Sequence, residues 1–254
     1  MAEAAFDLKG MKVLITGAGR GLGRAAAIYL AECGATVALN DIAASACEEA
    51  AAAVRAVGGT AYAYPGDASD RAAVMGMAAD FASKAGALDA VVNNAMILRY
   101  EPIEKVEPAV LEQMLAVGLM SPFWGAQALL ANMDAEKGGA IVNMASPVAN
   151  RGYPNTSAYS TVKGGIVALT KVMSAELGPR KVRVNAVSPG SVPTPGALGL
   201  NDPKVYEQRS KTIPLRRLGH EDDNSQAIAF LLSPAASFIN GEILNVDGGI
   251  AAAG

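Results

Sequence analysis

An apolar segment, a glycine-rich turn and a helical segment follow one another directly near the start of this chain. Residues 11–16 are mostly apolar, residues 17–23 contain four glycines, and residues 24–33 have helical spacing. Glycines allow a backbone to approach a pyrophosphate, and the N–H groups at a helix start carry partial positive charge. The strict G-x-G-x-x-G pattern is not met, because Leu22 stands where its third glycine would fall, so an ordinary tight turn is the alternative. The predicted phosphate-binding residues are Gly17, Arg20, Gly21, Leu22 and Gly23.

Strand-like and helical segments alternate along the rest of the chain. The further strand-like segments are 35–40, 60–64, 88–93, 140–145, 182–187 and 242–246. The chain has 254 residues, of which 51% are hydrophobic, so it can bury a large core, and no repeat or low-complexity linker divides it. We therefore predict an α/β fold with one domain over residues 1–254. Its core is a Rossmann-like, doubly wound parallel sheet of about seven strands, with helices on both faces and ligands at the carboxyl ends of the strands.

Charge and composition argue against several classes of function. The formal net charge is −3 and the basic residues are scattered, which disfavours nucleic acid or an anionic membrane as a partner. The first ten residues hold no long apolar run, and no run of about 18 uncharged apolar residues is found, so neither a signal peptide nor a membrane span is predicted. Cys33 and Cys47 lack metal-ligand spacing, which predicts reduced thiols and no metal site. We expect a soluble, cytoplasmic protein.

Asp41 lies at the end of the second predicted strand, a little over twenty positions after the first glycine. A carboxylate there can accept hydrogen bonds from both ribose hydroxyls of an adenosine. It would repel a 2′-phosphate, and the following Ile42 brings no compensating cation, so NAD is favoured over NADP. Arg20 is the one feature that favours NADP. A helix N-cap is the alternative role for Asp41.

Polar residues also end the third and fourth predicted strands. Asp67 could contact the adenine amino group, or it could cap the helix predicted at 69–84. Asn93 and Asn94 could tie neighbouring strand ends together or contact a cofactor ribose.

Tyr159 and Lys163 are four residues apart at the start of a segment whose apolar residues recur at helical spacing. They should share one helix face, about one turn apart. An ammonium about 4 Å away would lower the phenol pKa, ordinarily near ~10, by about three, which suits general acid–base catalysis. Ser146 follows the apolar run 140–145 and could return to the tyrosine if the loop between them folds back. The alternative is a partly exposed pair on a helix, because Tyr-x-x-x-Lys is common by chance.

The segment after the sixth strand predicts a lid. Residues 188–196 are rich in proline and glycine, and a mixed segment follows them. Together they predict a lid over a substrate pocket at about 190–217, with a plain surface excursion as the alternative. His220 falls in a polar turn and is expected to be solvated rather than catalytic.

A long apolar helix is predicted at residues 108–133. It is apolar on more than one face, which indicates burial against another subunit or packing on its own sheet. Gly118 lies in its middle, where a glycine costs about 1 kcal/mol relative to alanine.

Across essentially its whole length the chain resembles the classical short-chain dehydrogenase/reductase family. The matching segments are 16–23, Asp67, 93–95, Ser146, 159–163, Asn185, 189–190, Thr194 and 245–249. The resemblance implies that Tyr159 is the catalytic acid/base, that Ser146 orients a carbonyl, and that Lys163 lowers the phenol pKa and binds the nicotinamide ribose. It also implies that the protein is a homotetramer and that Val192 and Thr194 contact the carboxamide end of NAD. The cofactor-binding set then comprises the glycine-turn residues with Asp41, Asp67, Ala68, Asn94, Ala95, Tyr159, Lys163, Pro189, Gly190, Val192 and Thr194.

Two residues depart from that family's pattern. Met96 stands where Asn-Asn-Ala is normally followed by glycine, close to where substrate and nicotinamide would meet. The family's fourth catalytic residue, an asparagine that holds a water linking the lysine to solvent, aligns with Gly118. Gly118 therefore puts that proton relay in question.

These observations predict an NAD-dependent oxidoreductase that acts on a secondary alcohol or ketone, apolar or aromatic in character. The predicted substrate-pocket residues are Met96, Pro147, Tyr153 and Leu198. One alternative is an NADP-dependent reductase of 3-oxoacyl thioesters that uses Arg20. The other, motivated by Gly118, is a nucleotide-binding scaffold that has lost catalysis.

Overall fold

In the computed structural model, which describes residues 6–198 and 203–253, seven strands form one parallel sheet in the order β3-β2-β1-β4-β5-β6-β7. The predicted doubly wound parallel sheet is therefore confirmed. The strands are β1 (Lys12–Thr16), β2 (Thr36–Asp41), β3 (Thr60–Pro65), β4 (Ala90–Asn93), β5 (Gly139–Met144), β6 (Val182–Pro189) and β7 (Ile243–Val246).

Helices cover both faces of this sheet, as predicted. They are α1 (Gly21–Glu32), α2 (Ala44–Ala56), α3 (Arg71–Ala85), α4 (Pro108–Leu115), α5 (Ser121–Asn132), α6 (Ser157–Leu177), α7 (Pro195–Leu198), α8 (Pro203–Thr212) and α9 (Glu221–Leu232). One core lies between the sheet and α1, α2 and α9, and a second lies between the sheet and α3, α5 and α6. Alternate residues of β1 enter the two cores, with Val13 and Ile15 in the first and Leu14 in the second. Burial on both faces explains why the strands are continuous apolar runs.

The chain reverses direction across the sheet between β1 and β4. Strands β2 and β3 extend to one side of β1, and β4 to β7 extend to the other. The crevice outside the carboxyl ends of such neighbours is where ligands bind in open parallel sheets.

The segment after β5 differs in detail from the sequence prediction. Strand β6 continues through Pro189, because Ser188 pairs with Asn245 and Pro189 with Val246. A proline is tolerated at this last position, since the following Gly190 N–H donates to the Val246 carbonyl instead. The predicted lid contains two helices, α7 and α8, and its residues 199–202 lie outside the described part of the chain.

The predicted long helix is interrupted by a π-helical turn at Ala116–Met120, between α4 and α5. Such a turn inserts one extra residue into a helix and is frequent at functional sites. By length and composition the helical stretch Pro108–Asn132 could cross a membrane, which the sequence analysis did not expect. In this fold Ala126, Ala128 and Leu129 are buried in the second core, so the stretch packs on its own sheet.

Candidate active site

A cavity of about 560 Å³ opens at the carboxyl ends of the strands, and most of the predicted site residues line it. These residues are Gly17, Arg20, Gly21, Leu22, Asp41, Asp67, Ala68, Asn94, Ala95, Met96, Ser146, Tyr159, Lys163, Pro189, Gly190, Val192 and Thr194. The parallel sheet brings most of them together at or just beyond its strand ends, and helix α6 adds Tyr159 and Lys163.

The glycine turn forms a cradle that side chains would fill. Gly17 and Gly21 have φ angles of 64° and 56°, in the left-handed region that favours glycine. A Cβ on Gly17 would lie 2.8 Å from Ala95 Cα, and one on Gly19 would lie 2.7 Å from Asp41 Oδ2. Gly23 does not line the cavity; its Cβ would collide with the Gly17 carbonyl, so it allows helix α1 to pack on the turn. The cradle exposes backbone at the start of a helix, which fits a dinucleotide's phosphates.

Asn94 ties the strand ends together. Its Nδ2 donates to the carbonyls of Thr16 and Gly17, at 3.0 and 2.8 Å. The backbone N–H groups of Asn94 and Ala95 both donate to Thr16 Oγ1, at 3.1 Å each. These bonds fix the end of β4 against the glycine turn.

Asp41 reaches across to the glycine turn and does not cap a helix. Its Oδ2 accepts from the Gly19 N–H at 2.9 Å, and its Oδ1 accepts from the Ala43 N–H at 3.0 Å. Helix α2 has Ala43 at its N-cap, without a side-chain cap. The carboxylate therefore borders the cavity beside the phosphate cradle, where an adenosine ribose would lie.

Asp67 also borders the cavity, and the helix that follows it is capped by another residue. Asp67 Oδ1 accepts from the Ser69 N–H and hydroxyl, both at 2.8 Å. The N-cap of α3 is Asp70, which accepts from the Ala72 N–H at 2.8 Å. Asp67 is thus left facing the cleft from an exposed turn.

Ser146, Tyr159 and Lys163 meet at the inner end of the cavity. The loop after β5 folds back as predicted, so that the Ser146 side chain comes close enough to the Tyr159 phenol to act on its pKa. Lys163 lies one turn further along α6, is only 4% exposed, and donates from Nζ to the Met144 carbonyl at 2.6 Å. Its Nζ is 5.7 Å from the centroid of the Tyr159 ring. A hydroxyl, a phenol and a buried amine therefore converge on one point of the cleft.

The electrostatics of this group differ from the sequence prediction. Burial raises the pKa of Tyr159 above its ordinary value, the neighbouring Tyr100 raises it further, and the Ser146 side chain offsets only part of the rise. Burial lowers the pKa of Lys163 to about 8. The net fall in the phenol pKa that the sequence predicts is not found, because burial and Tyr100 together raise it. Tyr159 is therefore a protonated phenol at neutral pH, which can donate a proton.

A chain of buried amides holds α6 in place behind these residues. Asn93 Nδ2 donates to Asn143 Oδ1 at 2.8 Å, and Asn143 Nδ2 donates to Thr170 Oγ1 at 2.9 Å. The Thr170 hydroxyl donates in turn to the Ile166 carbonyl. These bonds join α6, which carries Tyr159 and Lys163, to β4 and β5, which lead into Asn94 and Ser146.

Met96 and Gly118, the two departures from the family pattern, lie against each other. A Cβ on Gly118 would lie 2.7 Å from Val162 Cγ1 and closer still to Met96 Sδ. Gly118 is buried in the π-helical turn, so the Met96 thioether fills the space that a side chain at 118 would need. A thioether is at most a weak acceptor and donates nothing, so this space holds no amide that could order a water. The two departures are one coupled feature.

Some predicted residues lie away from the cavity. Pro147 is buried beneath Ser146, Tyr153 borders a separate surface pocket, and Leu198 is an exposed residue of α7. None of the three is among the described residues that line the cleft. His220 is solvated, as expected, and its Nδ1 accepts from the Asp222 N–H at the start of α9.

The cavity also has lining residues that sequence reasoning did not identify. They include Tyr100, Tyr206, Arg99 and Arg209. Tyr100 meets the Tyr159 ring edge-on, with 5.7 Å between centroids. No motif marks these residues, because they come from segments that meet only when the lid region packs over β4.

The Met96–Gly118 contact predicts a measurable coupling. In the wild-type background, Gly118→Asn should lower the free energy of unfolding by about 1–3 kcal/mol, because the new side chain collides with Met96 and Val162. In a Met96→Gly background the same substitution should cost at least about 1 kcal/mol less, since the collision with Met96 is then removed and only that with Val162 remains. Urea unfolding of the four proteins measures the coupling.

Gly76→Asn is the matched control, because no atom lies within 4 Å of a Cβ on this helical glycine. It should change the unfolding free energy by less than about 0.5 kcal/mol. An equal cost of Gly118→Asn in both backgrounds would contradict the coupling.

The buried amine predicts a pH-dependent stability difference. The pKa of Lys163 is lowered from 10.5 to about 8 in the folded protein. Between these values the unfolded chain binds more protons, so the contribution of Lys163 to stability rises with pH and is lost as pH falls through about 8. The free energy of unfolding of the wild type minus that of Lys163→Met should therefore rise by up to about 3 kcal/mol from pH 8 to 10.5. Urea titrations across this range measure it, and a flat difference would refute a buried, depressed amine.

Comparisons with known proteins agree with this site. A family model described as enoyl-(acyl carrier protein) reductase matches residues 17–251. An uncharacterized oxidoreductase of Thermotoga maritima is 34% identical over 250 residues, covering 96% of this chain and 98% of that protein. The 3-oxoacyl-[acyl-carrier-protein] reductase of the same organism is 32% identical over 243 residues, with the same coverage of 96% and 98%.

A similar solved structure is 7 alpha-hydroxysteroid dehydrogenase complexed with NADH and 7-oxo glycochenodeoxycholic acid. It is 32% identical, covers 96% of this chain and 95% of its own, and superimposes with a TM-score of 0.92. The sequence match and the shared fold extend over nearly the whole chain, through both the glycine cradle and the Ser146, Tyr159 and Lys163 group. The chain therefore belongs to the classical short-chain dehydrogenase/reductase family and is an oxidoreductase of that type.

Proposed function

We propose that this protein is an NAD-dependent oxidoreductase that interconverts a secondary alcohol and a ketone. The observation that carries the proposal is the convergence of Ser146, Tyr159 and the buried Lys163 in the same cavity as the glycine cradle. A phenol paired with a hydroxyl suits proton transfer to or from a carbonyl oxygen. The cradle suits the dinucleotide that the reaction needs.

The chain's own residues support NAD as the cofactor. Gly17, Gly19 and Gly21 would approach its phosphates, and Asp41 would accept from its adenosine ribose. Lys163 and the segment from Pro189 to Thr194 would hold its nicotinamide end. When bound, the nicotinamide would supply or accept the hydride.

Tyr159, with Ser146 and Lys163 beside it, transfers the proton of the reaction. In reduction, the Tyr159 hydroxyl donates its proton to the substrate oxygen, and the raised pKa keeps that proton available at neutral pH. Ser146 donates a hydrogen bond that positions the same oxygen. Lys163, charged below about pH 8, stabilises the phenolate that remains. In oxidation the proton moves in the opposite direction.

The substrate end of the cleft is lined in part by apolar side chains, which supports an apolar or aromatic group next to the reacting carbon. The apolar lining residues include Met96, Ile97, Leu98 and Val117. Burial of such surface contributes about 25 cal/mol per Å², so these contacts favour a hydrophobic ketone.

A second candidate is an NADP-dependent reductase of 3-oxoacyl thioesters. It is favoured by the activity for which the Thermotoga maritima 3-oxoacyl-[acyl-carrier-protein] reductase is named, and by Arg20, which borders the cavity and whose guanidinium makes no hydrogen bond or ion pair with a described residue. A catalytically silent scaffold remains the rival outside the enzymes.

We also propose that the protein is a cytoplasmic homotetramer. Met120 and Phe123 are 46% and 43% exposed on the long apolar helical stretch, and a second copy could cover them.

Cofactor choice tests the proposal with a binding measurement and a rate. Wild-type protein should bind NADH more tightly than NADPH and reduce at least one member of a panel of aliphatic and aryl ketones with it. Asp41→Asn should shift the NADH-over-NADPH ratio of dissociation constants by about tenfold or more, because a charged acceptor is removed from the ribose side. Fluorescence titration and NADH-coupled assays measure both.

The matched control is Asp134→Asn, in a turn beyond α5, where the amide keeps an acceptor oxygen for the Glu136 N–H. It should leave the ratio unchanged. A wild-type preference for NADPH would favour the second candidate. Binding of either cofactor with no ketone or 3-oxoacyl thioester reduced would favour the scaffold.

A further inference from the structure

Two arginines, Arg99 and Arg209, form a basic wall on the substrate side of the cleft, here called the arginine wall. Arg99 lies in the segment after β4 and Arg209 on α8, and both line the cavity. Two tyrosine rings connect this wall to the candidate catalytic group. Tyr100 meets Tyr159 edge-on, and the Arg209 guanidinium carbon lies 5.8 Å over the Tyr206 ring. Burial raises the pKa of Tyr100, and the positive charge of Arg209 opposes that rise. The charge of Arg209 therefore acts on a ring that contacts Tyr159.

The arginine wall has no counter-ion in the part of the chain that the structure describes. Arg99 makes no hydrogen bond or ion pair with any residue of 6–198 and 203–253. Arg209 donates one hydrogen bond, from Nη1 to Ser191 Oγ at 3.4 Å, and makes no ion pair within those ranges. Arg217, in contrast, donates hydrogen bonds to both carboxylate oxygens of Asp223, at 2.7 and 2.9 Å. The wall is therefore free to bind an anion.

The carboxylates of the cleft lie at its other end. Among the described lining residues the carboxylates are Asp41 and Asp67, at the ends of β2 and β3. The sheet order places those strands on the far side of β1 from β4. Neither carboxylate is placed to neutralise the arginine wall, so the substrate side of the cleft is cationic.

We propose that the substrate carries a carboxylate or another organic anion, which Arg99 and Arg209 bind while its carbonyl contacts Ser146 and Tyr159. This inference rests on the proposed alcohol/ketone chemistry and names its substrate class: an oxo- or hydroxy-acid with an apolar body. A guanidinium presents a planar fork of donors that matches a carboxylate, and Arg209, which is partly buried over an aromatic ring, gains more from such a partner than a fully hydrated cation does. Leu98, beside Arg99, lines the path that the apolar body would follow.

Ketones that differ only in charge test the inference. The probes are 4-oxopentanoate, 5-oxohexanoate and 4-acetylbenzoate, each compared with its methyl ester under NADH-coupled reduction. For at least one pair, wild-type kcat/KM should favour the acid by about tenfold or more, chiefly through KM, because the anion is held in ground state and transition state alike. Arg209→Met keeps an apolar side chain over Tyr206 and should lower the acid-over-ester ratio by about tenfold to a hundredfold. Arg99→Met should lower it in the same direction.

Arg180→Met is the matched control, because Arg180 is an exposed arginine outside the cleft with no hydrogen bond or ion pair to a described residue. It should leave the ratio unchanged. Equal turnover of acids and esters, or a ratio unaltered in both cleft variants, would overturn the anionic-substrate inference and leave the oxidoreductase proposal standing.

Calorimetry, which measures binding of the probes to the NADH complex, distinguishes failure of the anionic-substrate inference from failure of the proposed function. If no ketone is reduced, the proposed function fails, and the binding data then decide the inference alone. Tighter binding of 4-acetylbenzoate than of its methyl ester, lost in Arg209→Met, would support the arginine wall as an anion site. Equal binding of the two probes, or no binding of either, would overturn it.

Discussion

The geometry of the cleft depends on one buried hydrogen bond, from the Lys163 amine to the Met144 carbonyl. This bond joins the first turns of α6 to the end of β5, and so it sets where Tyr159 stands relative to Ser146. An amine taken out of water loses hydration, and the lowered pKa of Lys163 is the sign of that cost. The hydrogen bonds from Asn93 through Asn143 to Thr170 hold the same helix. They therefore fix the position of the helix that carries the buried Lys163 amine.

The phenol's protonation state follows from the same burial. Burial and the neighbouring Tyr100 ring favour the neutral form of Tyr159, although the Lys163 amine lies 5.7 Å from its ring. The Met96 thioether deepens that environment by occupying the space beside Gly118. No amide lies at position 118, where the family has its asparagine, and the cationic surface of the cleft lies at the arginine wall.

The sequence predicted the sheet, and it predicted that the glycine turn, Asp41 and Ser146 would lie at one edge of it. Buried parallel strands are continuous apolar runs, and residues at their carboxyl ends must meet, so Gly17, Asp41 and Ser146 could be placed together from order alone. The pKa of Tyr159 could not be predicted in this way, because it depends on a contact with Tyr100, which is remote along the chain.

Other features escaped prediction for related physical reasons. The complementarity of Met96 and Gly118 is a matter of packed volume, and it appears only when the π-helical turn faces the segment after β4. The arginine wall could not be predicted either, because Arg99 lies in that segment and Arg209 lies on α8, which is remote along the chain. Pro147 and Tyr153, predicted for the substrate pocket, are not among the described residues that line the cleft: Pro147 is buried and Tyr153 borders a separate surface pocket.

The most direct test of the account is the Tyr159→Phe variant, with Tyr62→Phe as the control for a tyrosine packed on β3 away from the cleft. We predict that Tyr159→Phe lowers ketone reduction by about 10²–10⁴-fold, the usual contribution of a positioned proton donor, while NADH binding stays within about threefold of wild type. Turnover close to the wild-type rate in Tyr159→Phe would contradict the account.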